Sequence, residues 1–166
     1  LGPSQIIATP VLHNNRIYVA IGQDPAHGRG RGMLHCFDAT QTGEITKTAS
    51  IWTYDGIERS MSTAAVHEGL VYIPDLSGKI HCLDADSGEC CWVHDTKAET
   101  WGGVLVADGR LYLGNKRYFY VLAAGREPAV LSEIRLGGPA YSTPITANGV
   151  LYVATGRHLW AVARQP

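Results

Sequence analysis

The chain has 166 residues, 45% of them hydrophobic and 17% charged, with a formal net charge of −1. That composition supplies a real core and excludes a disordered chain. The near-neutral balance excludes the basic footprint of a nucleic-acid binder, and no stretch approaches the roughly 18 apolar residues of a membrane helix.

Residues 9–19 read as strand, two-residue turn, strand, with Asn14-Asn15 at the turn. Tight hairpins need positive φ at both central residues, which Asn and Gly tolerate cheaply. A polar, glycine-rich stretch at 24–32 follows and predicts a long exposed loop. The alternation of residues 34–38 predicts a third strand. An insertion around 45–49 leads to a fourth at 50–54.

The pattern then recurs. A second hairpin spans 63–73 with Glu68-Gly69 at its turn, followed by strands at 80–84 and 89–93. A third spans 103–113 around Asp108-Gly109, with strands at 119–123 and 130–134. A fourth spans 143–153 around Asn148-Gly149, with a third strand at 159–163 and only Arg164-Gln165-Pro166 beyond it. The anchor tyrosines Tyr18, Tyr72, Tyr112 and Tyr152 set a period of about forty with one insertion in the first copy. No segment keeps a helical period. Four short strands per forty residues predict an all-β protein, a β-propeller of about four four-stranded antiparallel blades. The blades fall at about 6–55, 56–99, 100–138 and 139–166, the last lacking its outer strand.

The second copy carries Cys82, Asp84, Ser87-Gly88 and Trp92 at the end of its third strand and into its fourth. The carboxylate and hydroxyl suit the backbone amides of a turn, and Gly88 suits its unusual angle. The first copy has the same order with insertions: Cys36, Asp38, Thr42-Gly43 and Trp52. The third is degenerate, with Ala123 in place of the Asp and no following Trp. This pattern resembles the repeat of pyrroloquinoline-quinone-type (quinoprotein-like) propellers. Tyr141-Ser142-Thr143-Pro144 and the short last copy resemble repeat proteins of bacterial envelopes. The resemblance implies that Trp52 and Trp92 dock between adjacent blades. It also implies a periplasmic or envelope location.

A full ring of this kind has about seven or eight blades. Four would leave a partial ring with open edges that invite pairing. The chain therefore reads as the carboxy-terminal half of a larger propeller. Its missing blades would come from upstream chain or from a second copy. No secretory leader is read from Leu1-Gly2-Pro3-Ser4.

Just before each first strand stand Ile7, Met61, Trp101 and Tyr141, with Thr9, Thr63, Gly103 and Thr143 two places on. In propellers this position faces the mouth of the central channel. Met61, Thr63, Trp101, Tyr141 and Thr143 are therefore candidate ligand-binding residues, or else the aromatics plug the channel or pack between blades. Glu58, Arg59, Lys97 and Glu99 lie in the approaching loops as polar contacts or as solvated charges.

Cys36 and Cys82 hold equivalent strand positions and are expected to be small buried residues rather than a bridge. A vicinal Cys90–Cys91 bridge would distort an outer strand. The histidines show no zinc-ligand spacing, and no haem-attachment, calcium or phosphate-loop motif is present. No catalytic or metal residue is assigned.

Two functions follow from the resemblance. One is a non-catalytic scaffold or binding module that presents loops and a channel mouth to a small ligand or an envelope protein, with no cofactor. The other is part of an alcohol dehydrogenase that holds pyrroloquinoline quinone and calcium.

Overall fold

Four two-residue turns set the register of the molecule. Asn14 and Asn15 have φ of 48° and 59°, and the pairs at 68–69, 108–109 and 148–149 are all at positive φ as well. Such turns match the right-handed twist of the strands they join. The computed structural model describes residues 5–22 and 30–163. It contains fifteen strands and no helix among them.

The strands form four antiparallel sheets in chain order. The first holds β1 (Val11–His13), β2 (Arg16–Ile21), β3 (Met33–Asp38) and β4 (Ser50–Tyr54). The second holds β5 (Ala65–His67), β6 (Leu70–Pro74), β7 (Lys79–Asp84) and β8 (Cys90–Asp95). The third holds β9 (Leu105–Ala107), β10 (Arg110–Gly114), β11 (Phe119–Ala123) and β12 (Val130–Ile134). The fourth has three strands: β13 (Ile145–Ala147), β14 (Val150–Ala154) and β15 (Leu159–Ala163). First strands of consecutive sheets touch, β1 with β5 and β5 with β9, so they form the inner edge of an arc. This is a propeller ring that does not close. Leu12 at one end and Ile145 and Leu159 at the other leave apolar surface exposed.

Register explains how the blades lock. Tyr18 pairs with Cys36, which pairs with Trp52; Tyr72, Cys82 and Trp92 repeat the row one blade later. A β-bulge follows in the outer pair of each complete sheet, after Cys36, Cys82 and Val121. Each Trp–Tyr pair points into the next blade. Trp52 Nε1 donates to Ala85 O at 3.0 Å, and Trp92 Nε1 donates to Gly125 O at 2.9 Å. A large buried ring with one satisfied N–H suits an interface between two flat sheets. Val121 and Ser132 occupy the same row in the third blade, so that row sends no indole to the fourth.

The turn that follows β7 is built from the motif. Asp84 Oδ1 accepts the amides of Asp86 and Ser87 at 3.0 Å each, and Ser87 Oγ accepts the Glu89 amide. Gly88 completes the turn at φ 74°. In the first blade Asp38 Oδ1 accepts the Thr40 amide at 2.9 Å, and Gly43 is at φ 81°.

One expectation needs correction. The polar, glycine-rich stretch at 24–32 predicts a long exposed loop. Residues 23–29 lie outside the described residues, but the far end of the stretch is pinned. Arg31 bridges Glu58, and the Gly32 amide donates to Ile57 O. Gly32 is buried, with no room for a Cβ against the Glu58 carbonyl. The glycine there permits close backbone approach.

Candidate functional site: the inner mouth of the second to fourth blades

A repeated backbone bond positions the residues before each first strand. Gly22 N donates to Gln5 O, Leu76 N to Arg59 O, Lys116 N to Glu99 O and Gly156 N to Pro139 O, at 2.9, 3.0, 3.0 and 3.2 Å. Each bond ties the approaching segment to its own blade just after the second strand. Met61, Trp101 and Tyr141 follow two residues after the tie in their blades.

Trp101 and Tyr141 meet across two blades, with ring centroids 5.7 Å apart and planes tilted by 49°. They are 41% and 40% exposed, so their free faces are open to solvent. Met61 is half-buried and Ile7 is exposed. Behind the ring pair the backbones close up. Thr143 Oγ1 accepts the Gly103 amide at 2.8 Å, and Ser62 Oγ donates to Trp101 O at 3.4 Å. A Cβ on Gly103 would lie 2.8 Å from Thr63 O, so Thr63, Gly103 and Thr143 form one tight shelf under the aromatics. Glycine is required by that approach. The structure thus brings Trp101, Tyr141, Thr63 and Thr143 together.

The charged loop residues lie nearby. Glu58, Arg59 and Glu99 line a polar cavity of about 350 Å³ with Gly30, Leu76 and Ser77. Lys79 lies 3.9 Å from Glu58, and Lys116 3.5 Å from Glu99. Lys97 sits at φ 63°, where its amide donates to Asp95 Oδ1, so it is a turn residue.

Sequence reasoning missed a buried polar network between the first two blades. Asp75 and His81 are 0% and 1% exposed. His81 Nε2 lies 3.1 Å from Asp75 Oδ2, and its Nδ1 lies 3.1 Å from the Tyr54 hydroxyl of the preceding blade. Asp75 also accepts the Glu58 and Lys79 amides and the Ser77 hydroxyl. Burial pushes the Asp75 carboxyl up. The hydrogen bonds from His81, Ser77 and Lys79, with the His81 ring itself, outweigh that and hold it below the usual carboxylate range. A Tyr–His–Asp chain resembles acid–base machinery, but no substrate reaches groups this deeply buried. It caps a turn and bonds two blades. The signal was in the repeat: three residues after Tyr72, Tyr112 and Tyr152 stand Asp75, Asn115 and Thr155, although Ile21 stands there after Tyr18. Asn115 Oδ1 accepts the Arg117 and Tyr118 amides, and Thr155 Oγ1 accepts the His158 amide.

Among the described residues no group of three or more His, Cys, Asp or Glu side chains gathers to hold a metal ion. No helix among them is long and apolar enough to cross a membrane.

Comparison with known proteins places this geometry. The chain is 33% identical over 88 residues to the outer membrane protein assembly factor BamB of Nitrosomonas eutropha, covering 53% of this chain and 21% of that one. The crystal structure of BamB from Moraxella catarrhalis superposes with a TM-score of 0.72 at 21% identity, over 90% of this chain and 44% of that one. The quinohemoprotein alcohol dehydrogenase of Comamonas testosteroni superposes with a TM-score of 0.70 at 16% identity, over 93% of this chain and 29% of that one. At those identities both structures bear on the fold alone. The chain spans less than half the length of each of these relatives. The family model described as outer membrane protein assembly factor BamB matches residues 3–92 and 31–127. With the bladed fold and its repeated tryptophan docking, this match establishes that the chain belongs to the BamB family of PQQ-like propeller repeat proteins.

Proposed function

We propose that the chain is part of a non-catalytic envelope propeller that binds a protein partner through the inner mouth of its second to fourth blades. The observation that carries this reading is the exposed Trp101–Tyr141 pair on its shelf of Thr63, Gly103 and Thr143. Rigid aromatics on a fixed backbone give contact area at low entropic cost, which suits protein recognition. The relatives named as outer membrane assembly factors support a periplasmic location and an envelope partner.

The quinone reading fits less well. Calcium takes several oxygen ligands, usually with carboxylates among them. The side chains at the Trp101 site are Met61, Tyr141 and threonine hydroxyls, a poor donor set for that ion.

Photocrosslinking in the envelope tests the proposal. A benzophenone amino acid at position 101 or 141 of the full-length protein should give discrete protein adducts. The same probe at Leu131, on the exposed outer strand of the third blade, should give none. Equal labelling from all three positions would sink the reading. So would dye-linked alcohol oxidation after loading with quinone and calcium.

A further inference from the structure

The bulge in the outer pair of the second blade changes what its cysteines can do. Cys82 pairs with Trp92 and Leu83 with Cys90, so Cys91 is the extra residue. On a regular strand Cys91 and Trp92 would face opposite ways. The bulge instead sets both against the same buried cluster, which contains Cys82, Tyr72 and Leu111. The Cys82 and Cys91 thiols are neighbours there, and Cys82 Sγ also donates to Gly125 O at 3.7 Å. Cys90 is exposed, and its thiol donates to Trp92 O at 3.6 Å. All four cysteines are free thiols.

We infer that Cys82 and Cys91 are a disulfide-forming pair, oxidised by a small disulfide such as glutathione disulfide, while Cys90 and Cys36 stay out of the bridge. The two thiols differ in access. Cys82 is fully buried, and burial followed by the neighbouring Cys91 pushes its thiol up to about 12. Cys91 is only half-buried, and Arg126 Nη1 lies 3.6 Å from its sulfur. Arg126 is held there by an ion pair with Asp84. A cation beside the more accessible sulfur attracts the anionic glutathione disulfide that this thiol attacks.

Cys91 thiolate attacks one sulfur of glutathione disulfide, breaks that S–S bond and expels a glutathione thiolate, which takes up a proton. Cys82 then gives up its proton and attacks the Cys91 sulfur of the mixed disulfide, expelling the second glutathione. Two protein thiols are oxidised to one disulfide and one glutathione disulfide is reduced to two thiols. The cross-link ties β7 to β8 under Trp92, at the contact with the third blade.

The test uses the whole chain carrying Cys90→Ser. After incubation with glutathione disulfide, remaining thiols are alkylated in denaturant. Intact mass should then show one alkylation and the loss of two hydrogens. Cleavage after Glu89 should leave the Cys82 and Cys91 fragments joined until reduction. Arg126→Gln should slow bridge formation several-fold without changing which cysteines pair. Cys91→Ser in the wild-type background should abolish any intramolecular bridge. Three alkylated thiols, a bridge that uses Cys36, a stable glutathione adduct on Cys91 without closure, or a bridge that survives Cys91→Ser would each overturn the inference.

Discussion

The contact between the second and third blades is sealed, and the contact between the third and fourth is open, although one repeat built both. At the sealed contact, Trp92, Tyr72 and Cys82 fill the space and Trp92 bonds Gly125 O. At the open one, Ser132 stands in the Trp register, and a groove of about 980 Å³ remains. Its walls include Tyr112, Phe119, Val121, Leu151, Trp160 and Val162. Apolar sheet faces bring blades together, but the indole decides whether they close.

Removing the indole is the strongest way to test this difference. Trp92→Ala should cost about 3–5 kcal/mol in chemical denaturation, because it empties a buried site and removes the stronger of the two hydrogen bonds to the Gly125 carbonyl. Trp160 lies in the groove and is 40% exposed, so Trp160→Ala should cost less than about 1.5 kcal/mol. Similar costs for the two would show that the open contact is as tightly packed as the sealed one.

The capping residues sharpen the comparison on a smaller scale. Asp75→Ala strips partners from two amides, a hydroxyl and His81, all at a buried site. A loss of about 2–3 kcal/mol is expected. Thr155 performs the same local role in the exposed fourth blade. Thr155→Ala should cost about 0.5 kcal/mol, and a matching loss at both positions would remove the distinction between the blades.

These sites also mark what was legible in the sequence. The hairpins were, because Asn and Gly at four turns report a backbone angle locally. The outer strands of the first and third blades were as well, since residues 50–54 and 130–134 stand where the repeat puts its fourth strand. Repeat alignment puts Trp101 and Tyr141 at equivalent positions of neighbouring blades, but their ring contact is visible only in the fold. The Tyr54–His81–Asp75 chain did not, because it joins a fourth strand to the next blade's third strand. The Cys82–Cys91 contact was hidden more deeply. Period-two alternation assigns Cys91 to the wrong face, and only the bulge reverses it.

Filling the open contact is a smaller and opposite change. Ser132→Trp restores the missing residue in its register. It should stabilise the chain by up to about 1 kcal/mol and quench Trp160 exposure to acrylamide. A destabilised variant with Trp160 still fully quenched would show that the fourth blade is set at an angle the indole cannot bridge.

The smallest expected effect depends on pH. Asp84 pairs with Arg126 across the sealed contact, whereas Ala123 holds that position in the third blade. The Arg126 guanidinium, helped by the Ser87 amide, pulls the Asp84 carboxyl down to about 2, against an ordinary value of about 3.9. A carboxyl depressed on folding stabilises fully above its ordinary value and loses that contribution as pH falls towards the depressed one. Asp84→Asn should therefore be slightly less stable than the parent near pH 5, and the gap should shrink steadily as pH falls towards about 2. The gap is small because Arg126 is largely exposed and the pair is screened. Denaturation of both chains across that range reads it directly. A gap that stays constant with pH would mean that Asp84 works only as a neutral turn acceptor. The charge would then add nothing to the seal that the indole already makes.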